Sequence, residues 1–337
     1  QTKVVKMNAV KSNNFGVAYS LPLTTFTIDA EVTKITSKAG PYYKYAEKYL
    51  GVKDVITEDK VVFQLDKVTL ENKGIPDKEN SYMVEFKSGT TAPFVYLTEE
   101  GLICSINAEV DESIFSADST KKKKVVPAGI NSASVLSEEL LMAGSTAKQA
   151  EVAAKQIYRI RESRLNILTG EAENLPPDGD AMKLVIEQLE QQEKALTNLF
   201  TGVVTKESLQ KQFTIQPTGN MEKEILFRFS ELMGIVDADN LGGTPVYINL
   251  TATEKAPVLE PKEAEKKLKN MKGIIYNLPG KATIEIKMNN KTLYQGEHQV
   301  TQFGSQESLA PSMFEDKKAP VKVYFYPQTG AIKQIIQ

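Results

Sequence analysis

The chain is poor in the residues that most often carry chemistry. Among its 337 residues there is one cysteine, Cys104, one histidine, His298, and no tryptophan. A single cysteine excludes an intramolecular disulfide and any site built from several thiolates. A single histidine excludes the His–His and His–Cys–Cys zinc sets. The missing tryptophan weakens the case for a sugar-stacking module. Neither sign of charge is in excess: 41 basic residues stand against 43 acidic ones, for a net charge of −2. A phosphate-binding face normally leaves a basic surplus, so nucleic acid is not an expected partner. No apolar run approaches the roughly 18 residues needed to span a bilayer, so no transmembrane segment is expected.

The familiar catalytic templates also fail. There is no G-x-S-x-G elbow, no P-loop and no G-x-G-x-x-G opening a helix. Ser145-Thr146-Ala147-Lys148 resembles the S-x-x-K of penicillin-binding enzymes, and Ser105-Ile106-Asn107 and Lys87-Ser88-Gly89 resemble its partner motifs. Their order along the chain is reversed, and an N-cap followed by a helix explains Ser145 better. His298 lies in a polar stretch and reads as a surface side chain. The pair Glu99-Glu100 falls at a turn, where solvation accounts for it. The sequence thus assigns no catalytic, cofactor-binding or metal-ligating residue.

What is present is strong patterning. Phe26, Ile28, Ala30 and Val32 alternate with Thr27, Asp29, Glu31 and Thr33, the period of a strand with one wet side. Gly40-Pro41 punctuates, and Tyr42, Tyr45 and Tyr49 then form an aromatic stripe on a short helix that Gly51 ends. Val61, Phe63 and Leu65 alternate, as do Val68 and Leu70, with a slip at Asp66-Lys67 of the kind a bulge makes. Strands are also expected at 83–87 and 94–97. Leu102, Cys104 and Ile106 share a face, which turns the Cys104 thiol into the core as an inert group. Residues 111–129 break the pattern and read as an exposed loop carrying Lys121 to Lys124. Within it, Asp118-Ser119-Thr120 is a candidate acceptor for an O-linked glycan.

The character then changes. Ser145 or Thr146 caps a long helix whose apolar stripe includes Ala150, Ala154, Ile157, Ile160 and Leu168, with Gly170 at its stop. After the turn at Leu175-Pro176-Pro177-Asp178, a second helix is expected to bury Ala181, Leu184, Val185, Leu189, Leu196 and Leu199. The short link makes the two antiparallel neighbours, with Arg159, Arg161 and Arg164 facing Glu187, Gln188 and Glu190. Beyond Gly202 strands return around Ile225–Phe229, Val246–Leu250, Ala282–Met288 and Val321–Tyr326. A basic helix begins at Pro261. Two echoes run through the chain. Tyr19-Ser20-Leu21-Pro22 recurs as Tyr276-Asn277-Leu278-Pro279, each before a strand, although the alternations that follow differ in phase by one residue. Gly101, Gly234 and Gly330 each sit at the turn of a short hairpin.

Several of these segments carry a family resemblance. They are Tyr19-x-Leu21-Pro22, the segments 40–51 and 157–170, Pro177-Asp178-Gly179-Asp180, Leu199-Phe200-Thr201-Gly202, Phe227-Arg228-Phe229-Ser230, 234–240 and Gln302-Phe303-Gly304. Together they resemble an exported family of Bacteroidales proteins defined only as a domain of unknown function, number 4831. The resemblance implies an export signal, hence the periplasm or cell exterior, and carries over no catalytic residue. A first residue of Gln1 suits a cleaved signal, and it cannot carry the lipid that a bacterial anchor attaches to cysteine.

The expected fold is α+β: β-rich regions of mainly antiparallel strands over 1–135 and 203–337, with a long antiparallel helical hairpin over 136–202 between them. The expected function is a non-catalytic envelope protein that binds an envelope protein or glycan, or helps organise an assembly. Two alternatives stay open. One is an envelope hydrolase acting on glycan or peptidoglycan through a pair of carboxylates. The other is a carbohydrate-binding module using Tyr42, Tyr43 or Tyr45, at least two of which are expected to pack inward.

Overall fold

The structure is a computed structural model, and it describes residues 3–6, 16–85, 95–109, 138–177, 179–314, 318 and 321–337. The fold is mixed, with 49% strand against 26% helix, and its ladders are antiparallel. The first half holds β1 (Lys3–Lys6), β2 (Gly16–Lys38), α1 (Ala46–Leu50), β3 (Lys60–Glu85), β4 (Val95–Leu97) and β5 (Ile103–Ile106). Helices α2 (Glu138–Met142), α3 (Thr146–Thr169) and α4 (Gly179–Thr201) follow. The rest is β6 (Val203–Ile215), β7 (Met221–Ser230), β8 (Gly234–Val236), β9 (Thr244–Glu254), α5 (Pro261–Asn270), β10 (Ile274–Met288), β11 (Lys291–Leu309), β12 (Lys322–Phe325) and β13 (Ile332–Ile336).

Among the described residues three sheets form, in the orders β1-β3-β2-β6, β11-β10-β9-β7-β8 and β13-β12-β5-β4. Strands from both sides of the helices meet in the same sheets: β6 pairs with β2, and β12 pairs with β5. The stretch expected as separate strands around Val61–Leu70 and Met83 is one strand, β3, of 26 residues. It stays continuous because its partner β2 runs beside it for 23 residues, about 75 Å at ~3.3 Å per residue. The slip expected at Asp66 is real. Glu31 pairs with Lys67 but Val32 pairs with Leu65, leaving Asp66 as the extra residue, and the Thr33 hydroxyl donates to its carboxylate.

Three cores result. In the first, Phe26, Ile28, Ala30 and Val32 of β2 face Phe227, Ile248, Leu250, Ala282, Ile284 and Ile286 of the five-stranded sheet, all buried. The alternation read from the sequence is thus the inner face of a sandwich. Asp29, expected on the wet face, is buried as well, and its Oδ1 is the one such side-chain atom among the described residues without a hydrogen-bond partner. A central strand explains this burial, since β3 and β6 flank Asp29 with Thr69 and Gln212. The second core lies at the other end of β2, where Tyr19, Leu21 and Tyr82 meet Ile103, Ile275, Val323 and Phe325. The third belongs to the helices.

The echo Tyr-x-Leu-Pro has a structural counterpart. In the β2–β3 ladder, Ser20↔Ser81 is followed by Pro22↔Pro76, so two steps on one strand match five on its partner. In the β10–β11 ladder, Leu278↔Ser305 is followed by Gly280↔Val300, the same two against five. Each ladder later slips by one more residue, at Val32 and at Lys287. The two hairpins also touch: the Tyr19 hydroxyl donates to the Ile275 carbonyl (3.1 Å) and accepts from the Ile275 N–H (2.9 Å). At the second break, Thr301 and Gln302 turn away from β10 to hydrogen-bond Thr24 of β2, tying the two long sheets together.

Candidate functional site

The first long helix, α3, is built as the sequence predicts at its ends. Ser145 is the N-cap of α3, its hydroxyl accepting from the Lys148 N–H (3.2 Å), and Gly170 closes the helix at φ 76°. The first turns of α3 and the last turns of α4 share the third core: Ala150, Ala153, Ala154 and Ile157 pack with Leu196, Leu199 and Phe200. The segment after β2 plugs into this base. Tyr42 is buried against Phe200 at 5.5 Å between ring centroids, and its N–H donates to the Leu199 carbonyl (2.9 Å). Gly40 makes that approach possible, because a Cβ there would lie 2.2 Å from the Leu199 oxygen. Tyr45 and Tyr49 pack on the same core, and Tyr158 of α3 donates to the Tyr49 carbonyl (2.7 Å). The tyrosine stripe is therefore a docking plug for the helices.

Above the base an ionic clamp joins the helices. Arg161 Nε and Arg164 Nη1 each lie 2.7 Å from a different oxygen of Glu193. The expected opposition to Glu187 and Glu190 is corrected: the arginines meet a carboxylate nearer the core, and Glu187 pairs with Lys183 on its own helix at 4.0 Å. The register is set by the close-packed alanines at the base, and charges on the polar stripe follow it. Beyond the clamp the apolar stripe loses its cover. Leu165, Leu168 and Leu184 are 58%, 61% and 58% exposed, and Val185 is 36% exposed, so the expected burial of Leu184 and Val185 is also corrected.

The other candidates separate. Ser145 is a helix cap and exposed, and Lys148 binds Glu151 at 3.3 Å. Glu151 is flanked by Lys155 and Lys148, whose hydrogen bonds hold its carboxyl below the usual range. Ser105 belongs to another part of the fold, buried on β5 and donating to the Ala108 carbonyl. Lys87-Ser88-Gly89, Asp118-Ser119-Thr120 and Lys121 to Lys124 lie outside the described residues. Cys104 is buried, and burial pushes its thiol up to about 11, so it is protonated and unreactive at neutral pH. Glu99 and Glu100 occupy an exposed turn that Gly101 closes at φ 88°.

His298 differs from its expected surface role. Its ring lies 5.5 Å from Phe26 and stacks beside Tyr294, whose hydroxyl bonds Nε2. Burial lowers the His298 pKa and raises that of Tyr294, which keeps both side chains neutral at pH 7. Among the described residues, no three of His, Cys, Asp and Glu gather closely enough to hold a metal ion. An open groove of about 390 Å³ runs between α5 and the end of β11, lined by Glu263, Lys266, Lys267, Asn270, Met271, Glu307 and Ser308. Its Glu307 is paired with Lys267 at 3.4 Å, a neutralised couple on an exposed surface. No described helix is long and apolar enough to cross a membrane.

Sequence reasoning singled out Tyr19 and Gln302 but not the junction they form with Thr24, Thr301 and Ile275, across more than 250 positions. The signal was present in the echo and in Gln302-Phe303-Gly304. Phe303 fills the first core, and a Cβ at Gly304 would fall 1.8 Å from the Leu278 oxygen. The segments that carry the family resemblance are thus largely packing devices: a plug, a helix base and a sheet junction. No curated protein and no solved structure matches the chain. The family model described as domain of unknown function (DUF4831) matches residues 15–333, nearly the whole of this architecture, and the chain belongs to that family.

Proposed function

We propose that the protein is a non-catalytic binding or assembly module of the cell envelope, and that the distal half of the α3–α4 pair is its binding arm. One observation carries the reading: the arm is rigidly seated at its base, yet Leu165, Leu168 and Leu184 are left uncovered at its far end. Scattered exposed leucines are ordinary, whereas apolar side chains grouped at the end of a paired helix offer a contact surface. The resemblance described above supports export to the periplasm or cell exterior of a Bacteroidales bacterium. The partner is an envelope protein or a glycan; the clustered leucines favour a protein. The sugar-binding alternative loses support because Tyr42 and Tyr45 face the helices, and the hydrolase alternative because the carboxylates of the α5 groove are open or ion-paired.

The test is crosslinking in the native envelope with wild type and with a Leu165→Glu, Leu168→Glu variant. The reading expects the variant to fold normally by circular dichroism and to lose its crosslinked partners. An unchanged set of partners would remove the arm from the proposal. Periplasmic fractionation of the native protein tests the location, and recovery with cytoplasmic markers would contradict it.

A further inference from the structure

The sheet β1-β3-β2-β6 ends on β6, and this edge is unlike the other terminal strands. It is 13 residues long, pairs with β2 on one side without a register shift, and contains no proline. Edge strands normally escape pairing by being short, bulged, proline-bearing or covered. β1, β8, β13 and β4 are short, with 4, 3, 5 and 3 residues. β11 is long but broken where Thr301 and Gln302 turn onto β2. β6 uses none of these devices, and the charges it carries are Lys206, Glu207 and Lys211. Its residues 203–212 are exposed, including Val203, Val204 and Leu209 at 42%, 51% and 37%. Its second row of backbone N–H and C=O groups is a template for another strand.

The sequence of β6 says which strand. Laid antiparallel on a second copy with Leu209 opposite Leu209, it places Glu207 opposite Lys211 twice, once on each side of the axis. The same register sets Val203 against Ile215 and Thr205 against Phe213, using all 13 residues. The ladder with β2 puts these odd-numbered residues on the face of Phe26, Ile28 and Val32, so the cores of both copies stay on one side. Sliding by two residues sets Glu207 opposite Leu209 or Phe213, with no charge partner. Sliding by four sets Glu207 on Glu207 or Lys211 on Lys211. Opposite charges directly across a ladder stabilise it and like charges oppose it, so the pattern selects one register. Lys211, a residue type that usually guards an edge, here meets a carboxylate.

We infer that β6 is a self-association edge: two copies of the chain pair β6 to β6 across a twofold axis at Leu209, joining their four-stranded sheets into one. Backbone hydrogen bonds supply the attraction, and the Glu207–Lys211 pairs fix the register. This surface is separate from the helical arm and does not depend on that proposal.

The test is sedimentation of the full chain across a wide concentration range. Wild type is expected to run at twice the 37.3 kDa chain mass at high concentration. Glu207→Lys alone, or Lys211→Glu alone, should weaken the dimer about tenfold, because each creates two like-charge contacts. The double variant should recover it. An equimolar mixture of the two single variants should form a heterodimer, since lysines at 207 and 211 of one copy then face glutamates at 211 and 207 of the other. That last result also guards against a trivial explanation, because Glu207 lies opposite Lys34 within the chain and its reversal alone could loosen β6. A wild type that stays monomeric throughout, a dimer indifferent to both reversals, or a mixture that fails to associate would each overturn the inference.

Discussion

The two halves of the α3–α4 pair show how one amphipathic pattern can yield two outcomes. At the base, small alanines let the helices approach closely, and a tyrosine plug seals the seam. At the far end the same periodicity continues, but its leucines face outward. An apolar stripe states which face a helix would bury. Whether anything arrives to bury it is decided by the rest of the chain.

Substitutions in order of expected effect would break or sharpen this contrast. Phe200→Ala, at the base, removes the ring packed on Tyr42 and should cost about 3–5 kcal/mol in denaturant unfolding. A loss below about 1 kcal/mol would mean that the base is not the anchor. Glu193→Ala, at the boundary, leaves Arg161 and Arg164 without their shared carboxylate. The expected cost is about 1 kcal/mol, reduced at high salt because the arginines are partly solvated. Leu168→Gln, at the tip, should change stability by less than about 0.5 kcal/mol.

Acidification separates the helices from the sheets. His298 is held neutral by burial, its folded pKa lying below 6.5. Its unfolded form takes a proton first as pH falls, so stability present above pH 6.5 is lost as pH falls through the folded value. The thermal midpoint should therefore drop on acidification below neutrality, less so in His298→Gln. Glu151 on α3 has its pKa lowered from 4.5 by its two lysines. Its contribution persists until pH falls below 4.5 and is then lost. Amide exchange on α3 that loosens in the same window as the His298 effect would contradict this separation.

Much of the fold could be read locally. The alternation of Phe26 to Val32, the Asp66 bulge, the stops at Gly51 and Gly170, and the buried Cys104 all follow from periods and backbone freedom within a few residues. The candidate site was legible in outline, as two long helices, but not in register or exposure. Glu193 rather than Glu190 meets the arginines because packing at the base sets the offset. The meeting of Tyr19 with Ile275, and of β12 with β5, depends on partners far along the chain. Periodicity carries no information about such pairings. Asp29 shows the same limit: its alternation marks a wet face, but a strand flanked on both sides can bury that face too.

The length of β2 has a further consequence. One uninterrupted run of backbone supplies Tyr19 and Leu21 to one core and Phe26 to Val32 to another. Neither compartment can melt without stripping neighbours from the same ribbon, so the two should behave as a single cooperative unit. A tug at either end of β2 would be resisted along its whole ladder in shear, the geometry in which many hydrogen bonds must give way together.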